Sequence, residues 1–253
     1  MDGLILGLDL CDGYTQLSCW GRDENWTLPT AVCRQKDGRW LIGETAYATA
    51  LAGEGSVTDK LIRLVLQDGS DTIYGVKYRA VDLLKYFLEQ VFSLPLEEGK
   101  TVDGSMVKEL VITVPKMKAR LMDGLMYCAD QLKIPRSHVH VISHTEAFMY
   151  FVLSQTRDVW SNHVGLFDLS EKCLCYYEMK VQKNMGQVTA VAEREKLEEG
   201  FALDILSAPQ GVKLADKILC SCGERLLEKK LFSSVFLTGK GFETQQWAGE
   251  IGR

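Results

Sequence analysis

The sequence predicts an α/β protein made of two similar lobes around a cleft. Two observations carry that expectation. An apolar run ending in aspartate, then a turn and a returning strand, occurs at Leu4–Trp20 and again at Val164–Val181; such self-similarity marks a repeated architecture. Between the copies strands alternate with helices, the rhythm of an α/β layer. The first lobe is expected over residues 1–155, with a small insertion at about 44–105, and the second over 156–253.

The chain has 253 residues, 46% of them apolar, enough for one large core or two modest ones. Its 29 basic and 34 acidic residues give a net charge of −5 with no basic run, which argues against a nucleic-acid partner. No apolar stretch approaches the roughly 20 residues that a membrane span needs. Met1–Ile5 has neither the basic flank nor the apolar length of a secretory signal, so a cytoplasmic location is expected. Eight cysteines include two C-x-C pairs, Cys173/Cys175 and Cys220/Cys222. That spacing suits neither an ordinary disulfide nor a zinc knuckle, so buried reduced thiols are expected rather than a zinc or iron–sulfur site.

Taken in order, the first strand runs to Asp9 and turns at Cys11-Asp12-Gly13, with Gly13 expected to supply a positive φ. Asp9, at the mouth of a buried strand beside free backbone N–H groups, is placed to hold a hydrated divalent cation next to a phosphate. The plainer alternative is that it caps the turn. A second hairpin turns at Asp37-Gly38, and Pro29 is expected at the entry to its first strand. Residues 44–52 favour a short helix, and Lys60–Leu66 is a short apolar run. Leu84, Phe87, Leu88 and Val91 recur at helical spacing, predicting a helix over 81–92. Residues 93–105 read as an exposed loop.

Leu110–Val114 is a continuous apolar run, as for a strand buried on both faces. Pro115 stops it, and Met117, Leu121, Leu125, Cys128 and Leu132 predict a helix. Val139–Ile142 is the next strand and 145–153 the next helix. Val164–Asp168 then repeats the opening pattern, followed by strands at Cys173–Val181 and Val188–Arg194. Ala215, Ile218, Leu219, Cys222 and Leu226 mark a helix. Ser234–Phe242 delivers a Gly-x-Gly turn, Gly239 and Gly241, where a ring or phosphate can approach the backbone.

These residues in this order resemble the actin / DnaK-type chaperone / sugar kinase superfamily, and more narrowly a bacterial family within it. Gly7–Leu10 with Tyr14-Thr15 resembles the first phosphate motif, Phe167–Leu169 the start of the second, and Phe236–Gly241 the adenosine motif. Val111–Pro115 with Val139–Leu153 resembles the connecting segment of the chaperones. The resemblance implies an actin-like ATPase fold of two ribonuclease-H-like lobes, with ATP and Mg²⁺ as ligands. Asp9 and Asp168 would bind Mg²⁺ through water; Asp12, Gly13 and Lys60 would face phosphates; Gly239 and Gly241 would admit adenosine.

The departures bear on activity. Cys11-Asp12 stands where the chaperones have glycine and threonine, and Ser170–Cys173 replaces Gly-Gly-Gly-Thr. Ser143, beside His144, falls where the chaperones place a catalytic glutamate, with Glu146 a helical turn on. The short span from Asp168 to Gly239 leaves little room for the subdomain that grips adenine, so the resemblance implies a second lobe that is reduced or truncated. A nucleotide-responsive scaffold or pseudo-ATPase is therefore expected, together with a protein partner or self-association. The alternatives are an active ATPase or small-molecule kinase, and a filament-forming protein without nucleotide chemistry.

Overall fold

In the computed structural model the described residues are 3–97, 99–169, 173–184, 187–199, 209–228, 230–239 and 242. The chain is a mixed α/β protein that divides into two compact units, Met1–His144 and Thr145–Arg253. The boundary falls earlier than residue 155 because the helix that follows His144 packs within the second unit, through Phe148 and Val152.

The first unit is built on a five-stranded sheet. Its strands are β1 (Leu4–Leu10), β2 (Tyr14–Cys19), β3 (Asn25–Pro29), β9 (Val107–Val114) and β10 (Val139–Ser143), in the order β10-β9-β1-β2-β3. β1 pairs antiparallel with β2 and parallel with β9. Alternation in β1 puts Leu6, Leu8 and Leu10 on one face, each at most 1% exposed. β9 adds Leu110, Ile112 and Val114 to that face, while Glu109, Val111 and Thr113 on the other are half-buried. The continuous apolar run thus belongs to a strand fully buried on one face only. Pro29 ends β3 instead of opening the following strand; β3 is the sheet edge, where a missing N–H breaks no ladder.

Helices α3 (Ala80–Ser93) and α4 (Ala119–Gln131) belong to the core on that buried face. α3 has no side-chain N-cap, so packing holds it: Leu83, Leu84, Phe87, Leu88 and Val91 are all nearly inaccessible. Burying each contributes about 1.5–3 kcal/mol. α4 starts at Ala119, leaving Met117 before it and 45% exposed. Between β3 and α3 lies the insertion, which starts earlier than expected. It comprises β4 (Ala31–Gln35), β5 (Trp40–Ile42), α1 (Gly43–Leu51), β6 (Gly55–Asp59), α2 (Leu61–Leu66), β7 (Ser70–Ile73) and β8 (Val76–Arg79). β5, β4 and β6 form a small sheet, with Gly38 at φ +92° in the tight turn between β4 and β5.

The second unit contains α5 (His144–Ser154, from its second residue), β11 (His163–Asp168), β12 (Cys173–Asn184), β13 (Gln187–Glu199), α6 (Pro209–Leu227) and β14 (Phe232–Thr238). Its sheet order is β13-β12-β11-β14. β11–β12 and β12–β13 are antiparallel and β11–β14 parallel, the pattern of β3-β2-β1-β9. In the β1–β2 and β1–β9 pairs the registers agree residue for residue with those of β11–β12 and β11–β14. Asp9 faces Gln16 on β2 and Thr113 on β9; Asp168 faces Cys175 on β12 and Thr238 on β14. Each parallel pair slips by one residue near its start, between Leu4 and Ile5 and between His163 and Val164, where Lys108 and Ser233 are the extra residues. A shared order, direction, register and bulge make these sheets two copies of one βββαβ plan.

Candidate functional site

The tip of β1 gathers a carboxylate, a thiol and an imidazole. Asp9 projects on the half-buried face of the sheet, opposite in phase to Leu8 and Leu10. Thr113 of the neighbouring β9 donates its hydroxyl to Asp9 Oδ1 at 2.8 Å. His144, at the end of β10, brings Nε2 to 2.7 Å from the same oxygen. Cys11 in the turn places Sγ 4.0 Å from Asp9 Oδ1 and 3.8 Å from His144 Nε2. The ligand atoms of Asp9, Cys11 and His144 all lie within 4.8 Å of one another.

The cluster is held from behind. Thr30 donates to the Cys11 carbonyl at 2.6 Å and shares a 2.7 Å hydroxyl contact with buried Thr15. The Cys11 N–H reaches the Tyr14 carbonyl at 3.3 Å. Burial pushes the Asp9 carboxyl up, but the His144 hydrogen bond and charge, with the Thr113 hydroxyl, outweigh it and hold the group below the usual carboxylate range. The Asp9 side chain is still 46% exposed, against 15% for His144, so the site is open on the Asp9 side.

Asp12 is engaged by the start of α2. Its Oδ1 accepts the Arg63 N–H at 3.1 Å and its Oδ2 lies 3.6 Å from Arg63 Nε, so it serves the first turn of α2 as a cap delivered from another loop. Lys60 precedes α2 in the left-handed region, φ 54° and ψ 41°, with its side chain exposed. The Asp12–Arg63 contact sets the start of that helix against the β1–β2 turn. Gly13 does not adopt positive φ, and its carbonyl accepts the Thr30 N–H at 3.0 Å. Leu10 and Thr15 form the last cross-strand pair, so four residues, 11–14, span the reversal, a length usually built on a type I turn, which asks for no left-handed residue there.

In the second unit Asp168 and Gly239 do come together. Gly239 sits at φ +97°, and a Cβ there would lie 2.6 Å from the Leu169 carbonyl carbon and 2.8 Å from Asp168 Oδ1. Glycine is needed for both conformation and space. The turn 170–172 and Gly241 lie outside the described residues. Asp9 and Asp168 belong to different compact units.

Sequence reasoning passed over three residues of the first cluster. His144 drew notice only as a neighbour of Ser143, Thr113 as part of an apolar run, and Cys11 as a substituted glycine. The available signal was a histidine directly after an apolar strand predicted to run parallel in the same layer. The cysteines otherwise divide: Cys19, Cys33, Cys128 and Cys175 are buried reduced thiols, whereas Cys220 is exposed and Cys222 half-buried on α6. Burial raises the Cys128 thiol to about 12, which leaves it inert.

A second polar cluster lies in the second unit. Glu178, 5% exposed, accepts from Lys230 at 2.6 Å and from the Tyr176 hydroxyl at 3.2 Å, and lies 3.0 Å from His163 Nδ1. Burial pushes its carboxyl up, and these partners bring it net below the ordinary glutamate value. Glu178, Tyr176 and Lys230, with Arg194 and Leu226, line a cavity of about 340 Å³. Among the described residues no helix is long and apolar enough to cross a membrane, which says nothing of β-barrels.

No curated protein matches the chain. Residues 13–253 match the C-terminal part of a family of unknown function, DUF5716; the match takes in Thr113, His144, Asp168 and Gly239 and begins just after Asp9 and Cys11. It covers nearly the whole chain, and the chain belongs to that family.

Proposed function

We propose that the chain is a pseudo-ATPase scaffold of the actin / DnaK / sugar-kinase type, one that keeps the duplicated frame and has given up phosphoryl transfer. The repeated βββαβ plan, with an aspartate at each first-strand tip facing a threonine on the parallel neighbour, supports the superfamily reading. The observation that carries the loss of chemistry is the 2.7 Å contact between Asp9 and His144. Magnesium demands a shell of oxygen ligands and keeps most of its waters. Here an imidazole and a thiol crowd the carboxylate that would face that shell, and Asp12 is engaged by α2. The donor set does not fit hydrated Mg²⁺, so no step is routed through ATP–Mg²⁺ at Asp9.

Phosphoryl transfer depends on positioned donors and cations around the transferred group. Each lost backbone donor costs about 2.7–4 kcal/mol of transition-state stabilisation in enzymes of comparable logic. Nucleotide, where it acts, acts as a ligand of the second unit, at Asp168 and Gly239. A role as a scaffold also draws support from Val235 and Leu237 of β14, about 40% exposed and suited to a protein partner or a second copy.

The test is an ATP–Mg²⁺ titration with a parallel turnover assay on wild type, Asp9→Ala and Asp168→Ala. No steady turnover is expected in any of them, with a binding heat that Asp168→Ala removes and Asp9→Ala leaves. Steady turnover in wild type that Asp9→Ala abolishes would sink the reading. Sedimentation with and without ATP then reports whether nucleotide changes assembly.

A further inference from the structure

We infer that Asp9, Cys11 and His144 form a three-ligand site for a zinc-like divalent cation, with a fourth coordination position open to solvent or a small ligand. The inference rests on the first unit alone and stands whether or not nucleotide binds the second.

The chemistry of the donors selects the metal. One carboxylate oxygen, one sulfur and one imidazole nitrogen are the ligand types of Zn²⁺ and its softer neighbours, whereas Mg²⁺ and Ca²⁺ take oxygen. Three protein ligands plus an open position is the arrangement of reactive zinc sites, as four closed ligands are of structural ones. Charge agrees: a carboxylate and a thiolate together neutralise a divalent cation, and the imidazole binds without charge. A half-buried site at the tip of a strand tolerates such a neutral assembly better than the bare anions.

Geometry agrees as well. Asp9 Oδ1, Cys11 Sγ and His144 Nε2 form a triangle with sides of 2.7, 3.8 and 4.0 Å. Tetrahedral zinc with bonds of about 2.0–2.3 Å sets such ligands about 3.4–3.6 Å apart. Drawing the sulfur in by a few tenths of an ångström and opening the Asp9–His144 pair by somewhat more would meet that spacing. The metal takes the place of the proton held between Nε2 and Oδ1, and the Cys11 thiol releases its own proton as the sulfur–metal bond forms.

The support is in place before any metal arrives. Thr113 fixes the Asp9 carboxylate, Thr30 pins the Cys11 backbone, and His144 stands at the end of a strand in register with β9. Outer hydrogen bonds of this kind orient metal ligands. A nucleophilic Cys–His–Asp relay is the rival use of the same residues, and the contacts oppose it. Such a relay needs the carboxylate on one ring nitrogen and the thiol on the other, yet here both face Nε2.

The test uses the whole chain, reduced and stripped with chelator, then titrated with Co²⁺ and displaced by Zn²⁺. One equivalent of Co²⁺ is expected to produce a thiolate-to-cobalt charge-transfer band with tetrahedral visible bands. Cys11→Ser and His144→Gln should lose the band, while Cys220→Ser and Cys222→Ser keep it. Thr113→Val should weaken binding about 10- to 100-fold, with Thr113→Ser restoring it. Because a variant can fail to fold, a second measurement uses wild type alone: Zn²⁺, and not Mg²⁺, should protect Cys11 from alkylation in peptide mapping. No charge-transfer band in the folded wild type, a band that survives Cys11→Ser, or Cys11 alkylated equally with and without saturating Zn²⁺ would each overturn the site.

Discussion

The tips of β1 and β11 are the same place in two copies of one plan, and they have become chemically different. Both carry an aspartate with the same phase, and each aspartate faces a threonine across a parallel ladder. Around Asp9 the neighbours include a thiol and an imidazole; Asp168 has Gly239 close against it, where a Cβ would lie 2.8 Å from its Oδ1. Backbone pairing decides where a carboxylate is delivered. What it does there depends on the residues that arrive from the turn and from the next strand or helix.

The lower ends of the sheets diverge in the opposite sense. On the face that packs against helices, β2 contributes Leu17 and Cys19, fully in the apolar core. The matching positions on β12 are Tyr176 and Glu178, which build the polar cluster with His163 and Lys230. The first unit is thus dry below and reactive at its tip, and the second holds its charged network below.

The sharpest way to break the comparison is Gly239→Ala, a residue whose place in the first copy is taken by Val114. With φ +97° and backbone atoms 2.6 Å from the new Cβ, a loss of about 2–5 kcal/mol is expected, read as a lower urea midpoint for the second unit. Glu178→Gln should cost about 1–3 kcal/mol, since a buried carboxylate is removed but Lys230, 36% exposed, stays solvated. The carboxyl titrates below its unfolded value, so its contribution is present above about pH 4.5 and fades as pH falls below it. A midpoint unchanged by the substitution would mean that the polar cluster is ornamental to stability.

Asp12→Ala should cost about 0.5–2 kcal/mol by uncapping α2, and exchange of the Arg63 amide should quicken before other amides of that helix. The smallest effect on stability belongs to His144→Gln. Without the imidazole, burial prevails and the Asp9 carboxyl rises from its lowered position. In the wild type the stabilising part of that ionisation is present above about pH 3.8 and is lost as pH falls through the folded value; in the variant, where burial prevails, it is absent, so the two should differ most above about pH 3.8 and converge in acid. Carboxyl-carbon NMR of Asp9 checks the sign; an unchanged titration would show that the imidazole does not govern this carboxylate.

Much of the frame was legible because it rests on periodicity. The alternating run into Asp9, its copy at Asp168, the Asp37-Gly38 turn and the stripe of α3 all depend on local sequence, and all appear. The short strands β6, β7 and β8 escaped because stretches such as Gly55–Asp59 are polar and carry no alternating pattern. The contact of Asp12 with Arg63 was not legible because Arg63 is far along the chain. The Asp9–His144 contact needed the order β10-β9-β1 to be known, since only that order brings the end of β10 within a side chain's reach of the tip of β1. Chemistry assembled across strands is invisible to a pattern read along one of them.

The slip at the start of each parallel ladder also carries a consequence for mutability. Successive residues of a strand point to opposite sides, so a shift of one position exchanges inside for outside. The extra residues Lys108 and Ser233 therefore set the phase in which β9 and β14 reach the far end of the sheet. Deleting Lys108 would leave every residue of the reactive tip in the sequence while swinging Thr113 toward the helices and Val114 toward water. A site can thus be dismantled by an indel at the opposite end of a neighbouring strand.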